Sequence, residues 1–513
     1  MPSDNYLTLT GRDLTPQRLH DIAIDGCKVA LAPDVMKRLK RDRAVVDRHV
    51  DAGDPVYGLT TGLGSKSTEA LPRDQLAAFS LQTLRGRAQA LGDPLPWPLA
   101  RAVLVARLNS LCAGGSGASP AVAEILVECL NRGATPVMPQ TGSVGASDLC
   151  VQAVMGLALT GEGEMFFNEE RLPAAEAMQR AGIEPLELGP KDGLAICSSS
   201  AFSTGLAALG QVAALRSLRA AQIAAAMTME GFRANCSPLR EEALRARPQP
   251  GQITAGEELK VLLSGGLLLE GGAARRLQDP LSIRCLAQTH GAVYGTLDFL
   301  AGPLTADLNG SSDNPLLTES GEMISNGNFQ APLLGIALDS VARALSGLAT
   351  ASLARIARLL SPALSGLPRF LSLGGSESAG FAPLMKPAEA LVGEITLLAN
   401  PAPLANSSSA EGVEDILTHT PISARKLLKL LNKLDHLIAI ELLFAAQAIE
   451  LANPDPIAPR LAAVLDEVRK ISPTVELDRP LGREIEAVAA SLVGSGRLLV
   501  IADIDSGADQ KSY

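Results

Sequence analysis

The chain has 513 residues, 47% of them hydrophobic and only 3% aromatic, and a net charge of −10. That acidic balance, interspersed rather than blocked, argues against nucleic-acid and anionic-membrane partners. Length alone allows several domains, but alanine- and leucine-rich sequence without a long polar linker points to a mainly α protein with a large apolar interior.

Met1–Tyr6 has neither a basic region nor an apolar run, so no secretory leader is expected. The first sixty residues read as a mixed segment ending in a glycine-punctuated loop, Tyr57-Gly58-Leu59-Thr60-Thr61-Gly62-Leu63-Gly64. Helical periodicity follows at Leu99, Val103, Leu104, Leu108 and Leu111, then at Val122, Ile125, Leu126 and Cys129. A turn around Thr135 closes that pair of helices. Next comes Gly142-Ser143-Val144-Gly145-Ala146-Ser147-Asp148-Leu149, and a second turn region spans Leu188 to Asp192.

From Ser203 onward long helices dominate, interrupted by polar loops near Arg247–Pro250, Asn309–Pro315 and Ser372–Gly380. Ala424–Leu451 is the strongest helix. Leu427, Leu430, Leu431, Leu434, Ile438 and Leu442 form its apolar stripe, with Lys426, Lys429, Lys433 and Asp435 expected opposite. Pro421 opens it and Asn453-Pro454 stops it. The most apolar stretch, near Leu437–Ala452, is broken by Glu441, Gln447 and Glu450 and is too short to span a bilayer. Seven cysteines, never spaced Cys-x-x-Cys, predict reduced thiols and a cytoplasmic protein. Five histidines without metal-ligand spacing predict no metal.

The Gly142–Leu149 segment resembles the signature of the histidine/aromatic amino-acid ammonia-lyase superfamily. There a Gly-Ser-Val-Gly lead-in precedes Ala-Ser-Gly-Asp-Leu, and Ala-Ser-Gly cyclises to an electrophilic methylidene-imidazolone ring. Cyclisation requires the third residue's nitrogen to attack the first residue's carbonyl, an approach that a residue without Cβ permits. Here Ala146-Ser147 runs directly into Asp148: the glycine is missing.

Five further segments match that family in order. They are the Tyr57 loop; Arg107-Leu108-Asn109-Ser110-Leu111 with Gly115-Ser116-Gly117; Gln278-Asp279-Pro280-Leu281-Ser282-Ile283-Arg284; Ser312-Asp313-Asn314-Pro315 followed by Asn326-Gly327-Asn328-Phe329; and Glu414-Asp415. The resemblance implies an ammonia-lyase (fumarase/aspartase-like) fold with a central long-helix bundle and a smaller mixed N-terminal part. It divides into an N-terminal domain over 1–200 and a helical bundle with a C-terminal helical region over 201–513. It also implies a homotetramer whose active sites are shared between subunits.

The departures cluster. Ser198 stands where the family has the asparagine that supports the ring, Leu281 where it has a second tyrosine, and Arg87 where histidine ammonia-lyases carry a histidine. Ammonia is a poor leaving group, and the ring overcomes this by alkylating the amine. A quaternary nitrogen leaves as trimethylamine without that help. Ring-less relatives of this fold, the ergothionases, eliminate trimethylamine from ergothioneine to give thiourocanate. The resemblance therefore implies a carbon–nitrogen lyase acting on a quaternary-ammonium histidine derivative with no methylidene-imidazolone cofactor.

Under that expectation Tyr57 is the base for the β-proton, a role that needs its phenolate favoured by a nearby cation or by backbone dipoles. The alternative is a tyrosine whose hydroxyl caps the loop. Arg284 clamps the substrate carboxylate bidentately, or pairs internally with Asp279. Asn314 orients the same carboxylate, or simply makes a turn. Glu414 grips the imidazole ring, or is a solvated or helix-capping glutamate beside Glu411 and Asp415. Lys386, between Pro383 and Pro387, is expected to be constrained and partly buried, able to polarise the thione or support the Tyr57 phenolate; otherwise it snorkels on a loop. Arg87 adds positive charge near the ring or lies on a helix surface. Phe329 stacks on the ring or fills the core, and Ser198 fills the space of the lost cofactor. An ordinary ammonia-lyase or aminomutase, and a non-catalytic scaffold, remain as alternatives.

Overall fold

The computed structural model describes residues 6–270, 272–402 and 409–504. Residues 1–5, which bear on the leader expectation, lie outside that set. The protein is mainly helical, and its helices sort into two compact units. The first comprises Met1–Val212, Ala301–Leu338 and Pro401–Arg425; the second comprises Ala213–Leu300, Asp339–Asn400 and Lys426–Tyr513.

The first unit opens with a short parallel pair, Tyr6–Leu9 against Lys28–Leu31, connected through the helix Pro16–Ala23. Thr15 caps that helix by accepting the Arg18 amide, and Pro16 occupies its first turn, where no hydrogen bond is lost. The helix Pro33–Ala52 follows and ends at Gly53 in the left-handed region (φ 71°). This is the mixed N-terminal segment expected from sequence. The helix Trp97–Ala113 is buried continuously from Ala100 to Cys112, so its sequence shows little one-sided patterning.

Three other helices of this unit pack on one another: Leu76–Arg87, Leu149–Leu159 and Asp192–Cys197. Small residues allow that closeness. A Cβ on Gly193 would lie 2.0 Å from the Ser80 carbonyl oxygen, and one on Gly156 would lie 2.8 Å from both Ile196 and Leu84 side chains.

Among the long helices, Ala201–Phe232, Leu286–Leu308, Pro332–Leu359 and Thr420–Ala452 each contribute residues to both units. Thr420–Ala452 contains the whole stretch expected as the strongest helix, and its predicted leucine stripe is buried throughout. One expectation fails there. Asp435 is not on a polar outer face but only 7% exposed, receiving Arg216 at 2.7 Å and the Ser217 hydroxyl at 2.5 Å.

Within the second unit Glu441 is fully buried and takes two Arg355 nitrogens at 2.6 and 2.9 Å, with Thr228 donating at 3.1 Å. A charge removed from water needs this saturation of its oxygens to be tolerated. Nearby, a Cβ on Gly231 would meet Ala448 at 2.7 Å, so the glycine lets those two helices touch.

Two helical stretches, Asp192–Phe232 and Pro332–Leu359, are long and apolar enough to span a bilayer by length and composition. The stretch near Leu437–Ala452 is not among them, as its interrupting charges led one to expect. The apolar window is wholly buried in the first and just over half buried in the second, as interior helices of a packed protein are.

Candidate active site

Six of the eight expected site residues belong to the first unit: Tyr57, Arg87, Ser198, Asn314, Phe329 and Glu414. Arg284 and Lys386 belong to the second.

The three mutually packed helices of the first unit direct their ends to one place. Arg87 closes the first, Asp148 precedes the second, and Ser198 caps the C-terminus of the third. The signature loop between them is tightly bent, with Gly145 at φ 87° and Ser147 at φ 54°. Gly145 is obligatory on two counts, because a Cβ there would also lie 2.1 Å from the Thr418 hydroxyl. Ser147 is a non-glycine residue in the left-handed region, and such strain persists only where surrounding bonds enforce it.

Those bonds are visible. The Val144 carbonyl accepts the His419 amide at 3.0 Å, and the Gly145 carbonyl accepts the Thr418 hydroxyl at 3.1 Å. The Ser147 amide donates to the Phe329 carbonyl at 3.2 Å. Phe329 is therefore held at the signature through its backbone, while its side chain is half-buried rather than part of the core. The Ser147 and Ser198 hydroxyls lie 3.4 Å apart in a buried position.

Asp148 is fixed more firmly still. Its amide donates to the Ser199 carbonyl at 2.7 Å. Its carboxylate accepts the Ser203 amide at 2.8 Å and the Ser203 hydroxyl at 3.2 Å, at the first turn of Ala201–Phe232. Negative charge is favoured at such a helix start. Burial nonetheless pushes this carboxyl up to about 7, against the hydrogen bonds from Ser203.

Arg87 does not project from the helix surface as a free side chain. It is half-buried, and its charge acts on the thiols of Cys150 and Cys197, the residues flanking the signature helix start and Ser198. Burial pushes the Cys197 thiol up to about 11, and Arg87 opposes that shift. Glu414 approaches the same place: its charge adds to the rise of Cys150, which burial causes and Arg87 opposes. Glu414 is half-buried and accepts the Ser409 hydroxyl at 2.9 Å, whereas Glu411 and Asp415 are exposed. Arg87 and Glu414 thus present opposite charges near the signature.

Tyr57 is half-buried, and its phenol oxygen accepts the Gly64 amide at 3.0 Å. The loop-capping contact anticipated as its alternative therefore forms. The turn Gly64–Lys66 that follows lies against Ala410–Gly412, immediately before Glu414. Gly58 packs on Leu194, in the helix that ends at Ser198. Asn314 is held by the Asn326 amide, which donates to its side-chain oxygen at 3.0 Å.

In the second unit, Arg284 ends the short helix Leu281–Arg284 and is half-buried. Its Nε is buried without a hydrogen-bond partner among the described residues. The ion pair with Asp279 does not form; that carboxylate accepts the Asn235 amide at 2.6 Å instead. An arginine buried in this way has donors to spare for an anion. Lys386 corrects an expectation, since it is exposed in the first turn of Met385–Leu398. Prolines are tolerated at helix starts, so the pair around Lys386 marks a helix N-terminus rather than a buried loop.

Sequence reasoning missed several residues. His419 has positive φ (52°), and neither ring nitrogen has a hydrogen-bond partner among the described residues. Gln152 donates to Ser199 at 2.6 and 2.8 Å. Lys191 is buried beside Asn314's loop; a Lys-Asp pair leading directly into the apolar run Gly193–Cys197 was the available signal.

A sequence profile described as aromatic amino acid lyase matches residues 14–470. Histidine ammonia-lyase of Anaeromyxobacter sp. (strain K) is 39% identical over 507 residues, covering 96% of this chain and 99% of that protein. The histidine ammonia-lyase of Symbiobacterium thermophilum is 38% identical, covering 97% and 98%. Among solved structures, the ergothioneine-degrading ergothionase of Treponema denticola, in complex with desmethyl-ergothioneine sulfonic acid, superposes with a TM-score of 0.92 at 29% identity, covering 96% of this chain and 99% of that one. Histidine ammonia-lyase of Trypanosoma cruzi gives 0.90 at 33% identity, covering 97% and 95%.

Proposed function

The chain belongs to the aromatic amino acid lyase family, and from that premise we propose that it eliminates trimethylamine from ergothioneine, giving thiourocanate, without a methylidene-imidazolone ring. Asp148 carries the reading. The nitrogen that would have to attack the Ala146 carbonyl is committed to Ser199, and the residue bears a Cβ and a buried carboxylate anchored on Ser203. These residues do not fit the ring.

The remaining groups suit a substrate that supplies its own leaving group. Tyr57 takes the β-proton; the Gly64 amide gives negative charge on its oxygen a donor. The C–H electron pair forms the Cα–Cβ double bond. The Cα–N bond breaks, and its pair leaves on neutral trimethylamine. Asn314 orients the carboxylate, and Arg284, which belongs to the second unit, holds it on the expectation that the homotetramer's subunits share active sites. Glu414 grips the imidazole and Arg87 adds positive charge beside it. Phe329 lines the ring, Ser198 fills the vacated space, and Lys386 meets the thione. Lys386 is exposed in the single chain, so its role rests on the expected homotetramer, in which subunits share active sites. Free thiols throughout accord with a cytoplasmic location.

The 39% identity to a histidine ammonia-lyase favours one second reading, deamination of histidine. Incubation with ergothioneine should yield trimethylamine and thiourocanate, and the intact mass should show no loss of two waters. Ammonia from histidine, with that mass deficit and near-ultraviolet absorbance, would establish the second reading instead.

A further inference from the structure

We propose that Lys191 is a positioning residue of this site, its buried ammonium fixing the Asn314 loop against the helix that ends at Ser198. The inference rests on the proposed function only in taking Asn314 as a substrate contact.

Lys191 is 3% exposed and sits at φ 72° immediately before the helix Asp192–Cys197. Its Nζ donates to the Ser116 carbonyl and, at 3.4 Å, to the carbonyl of Pro315. One side chain thus joins three segments: the Gly115–Gly117 loop, the Asn314-Pro315 turn and the helix leading to Ser198. Arg107 makes a parallel link, donating to the Ala195 carbonyl and to both oxygens of Asp313 at 2.9 and 3.2 Å. The two cations hold Asp313 and Pro315, the residues on either side of Asn314.

The charges facing Lys191 are Asp192 on its own helix, Arg43 from Pro33–Ala52, Arg107 from Trp97–Ala113, and Asp313. Arg43 is itself paired with Asp47 at 2.9 Å, so three carboxylates balance the three cations while Lys191 is protonated. Burial pushes the ammonium down to about 8; Asp313 and Asp192 oppose this, and Arg107 and Arg43 add to it. Charge-assisted hydrogen bonds are roughly twice as strong as neutral ones. Deprotonation of Lys191 therefore weakens its hold on the Ser116 and Pro315 carbonyls without removing the side chain.

The test compares wild type with Lys191→Met and Lys191→Arg, using whichever of ergothioneine or histidine the enzyme turns over. Lys191→Met should lose about tenfold or more in kcat/KM, mainly through KM. Lys191→Arg, which stays charged, should recover part of that and move the alkaline limb of the kcat/KM profile upward by about one pH unit. In the ligand-free protein, amide exchange over residues 311–317, compared at equal pH, should be faster in Lys191→Met and near wild type in Lys191→Arg. Unchanged KM and exchange in Lys191→Met, or an alkaline limb in Lys191→Arg superimposed on the wild type, would overturn the proposal. Should neither substrate react, the functional reading fails while the exchange comparison still decides on Lys191. Should Lys191→Met not fold, the exchange and pH profile of the arginine variant decide between the same two outcomes.

Discussion

The Asp148 carboxylate is bound to the amide and hydroxyl of Ser203, at 2.8 and 3.2 Å, in the interior of the protein. That contact ties the signature loop to the start of the helix Ala201–Phe232. It places a buried carboxyl group directly after Ala146-Ser147. The loop is thereby a structural joint, held at the residue that directly follows Ala146-Ser147.

A pH dependence of stability follows. The Asp148 carboxyl is raised to about 7 in the folded protein, above its ordinary 3.8. The folded state therefore keeps the proton more tightly than the unfolded chain, and this stabilisation is lost as pH rises toward and through about 7. Asp148→Asn, which cannot ionise, should flatten that decline. Between pH 5 and pH 8 its stability, read from melting curves, should fall less than that of the wild type, by on the order of a few kcal/mol at most. Parallel melting curves at both pH values would mean that Asp148 does not carry the linkage.

Tyr57 is expected to be the base rather than only a loop cap. Tyr57→Phe removes the oxygen that accepts the Gly64 amide, so some loss of loop order should accompany any catalytic effect. General-base catalysis contributes about 10²–10⁴-fold, and kcat should fall by that range while circular dichroism and oligomeric state stay unchanged. Wild-type kcat in the variant would assign the hydroxyl to the loop alone.

Arg284 offers a sharper discrimination between clamp and packing. Its Nε has no partner among the described residues and Asp279 is engaged elsewhere. A planar fork matched to a carboxylate is poorly replaced by lysine. Arg284→Lys should raise KM for a carboxylate-bearing substrate by about tenfold or more while leaving the melting temperature nearly unchanged. Steady-state kinetics together with a melting curve decide it; lost stability with unchanged KM would make the arginine structural.

Much of the helical architecture was legible because long periodic segments announce themselves: Thr420–Ala452 brackets the predicted stretch and buries its leucines. Polar residues on those helices were less legible. Asp435 reads as a solvent-facing acid, yet Arg216 and Ser217 come from distant sequence to receive it. Lys386 misled in the opposite sense, because prolines signal constraint without saying whether the constraint is burial or a helix start. The signature's anchoring on Ser199 and Ser203 depends on contacts some fifty residues away, which no local pattern encodes.

The most direct measurement is a single incubation of the purified protein with equimolar ergothioneine and histidine, in which trimethylamine and ammonia are quantified together by mass spectrometry. A ring-free lyase should release trimethylamine in step with thiourocanate absorbance and leave histidine intact. Ammonia and urocanate without trimethylamine would contradict the account and return Ala146, Ser147 and Asp148 to the chemistry of an ordinary ammonia-lyase.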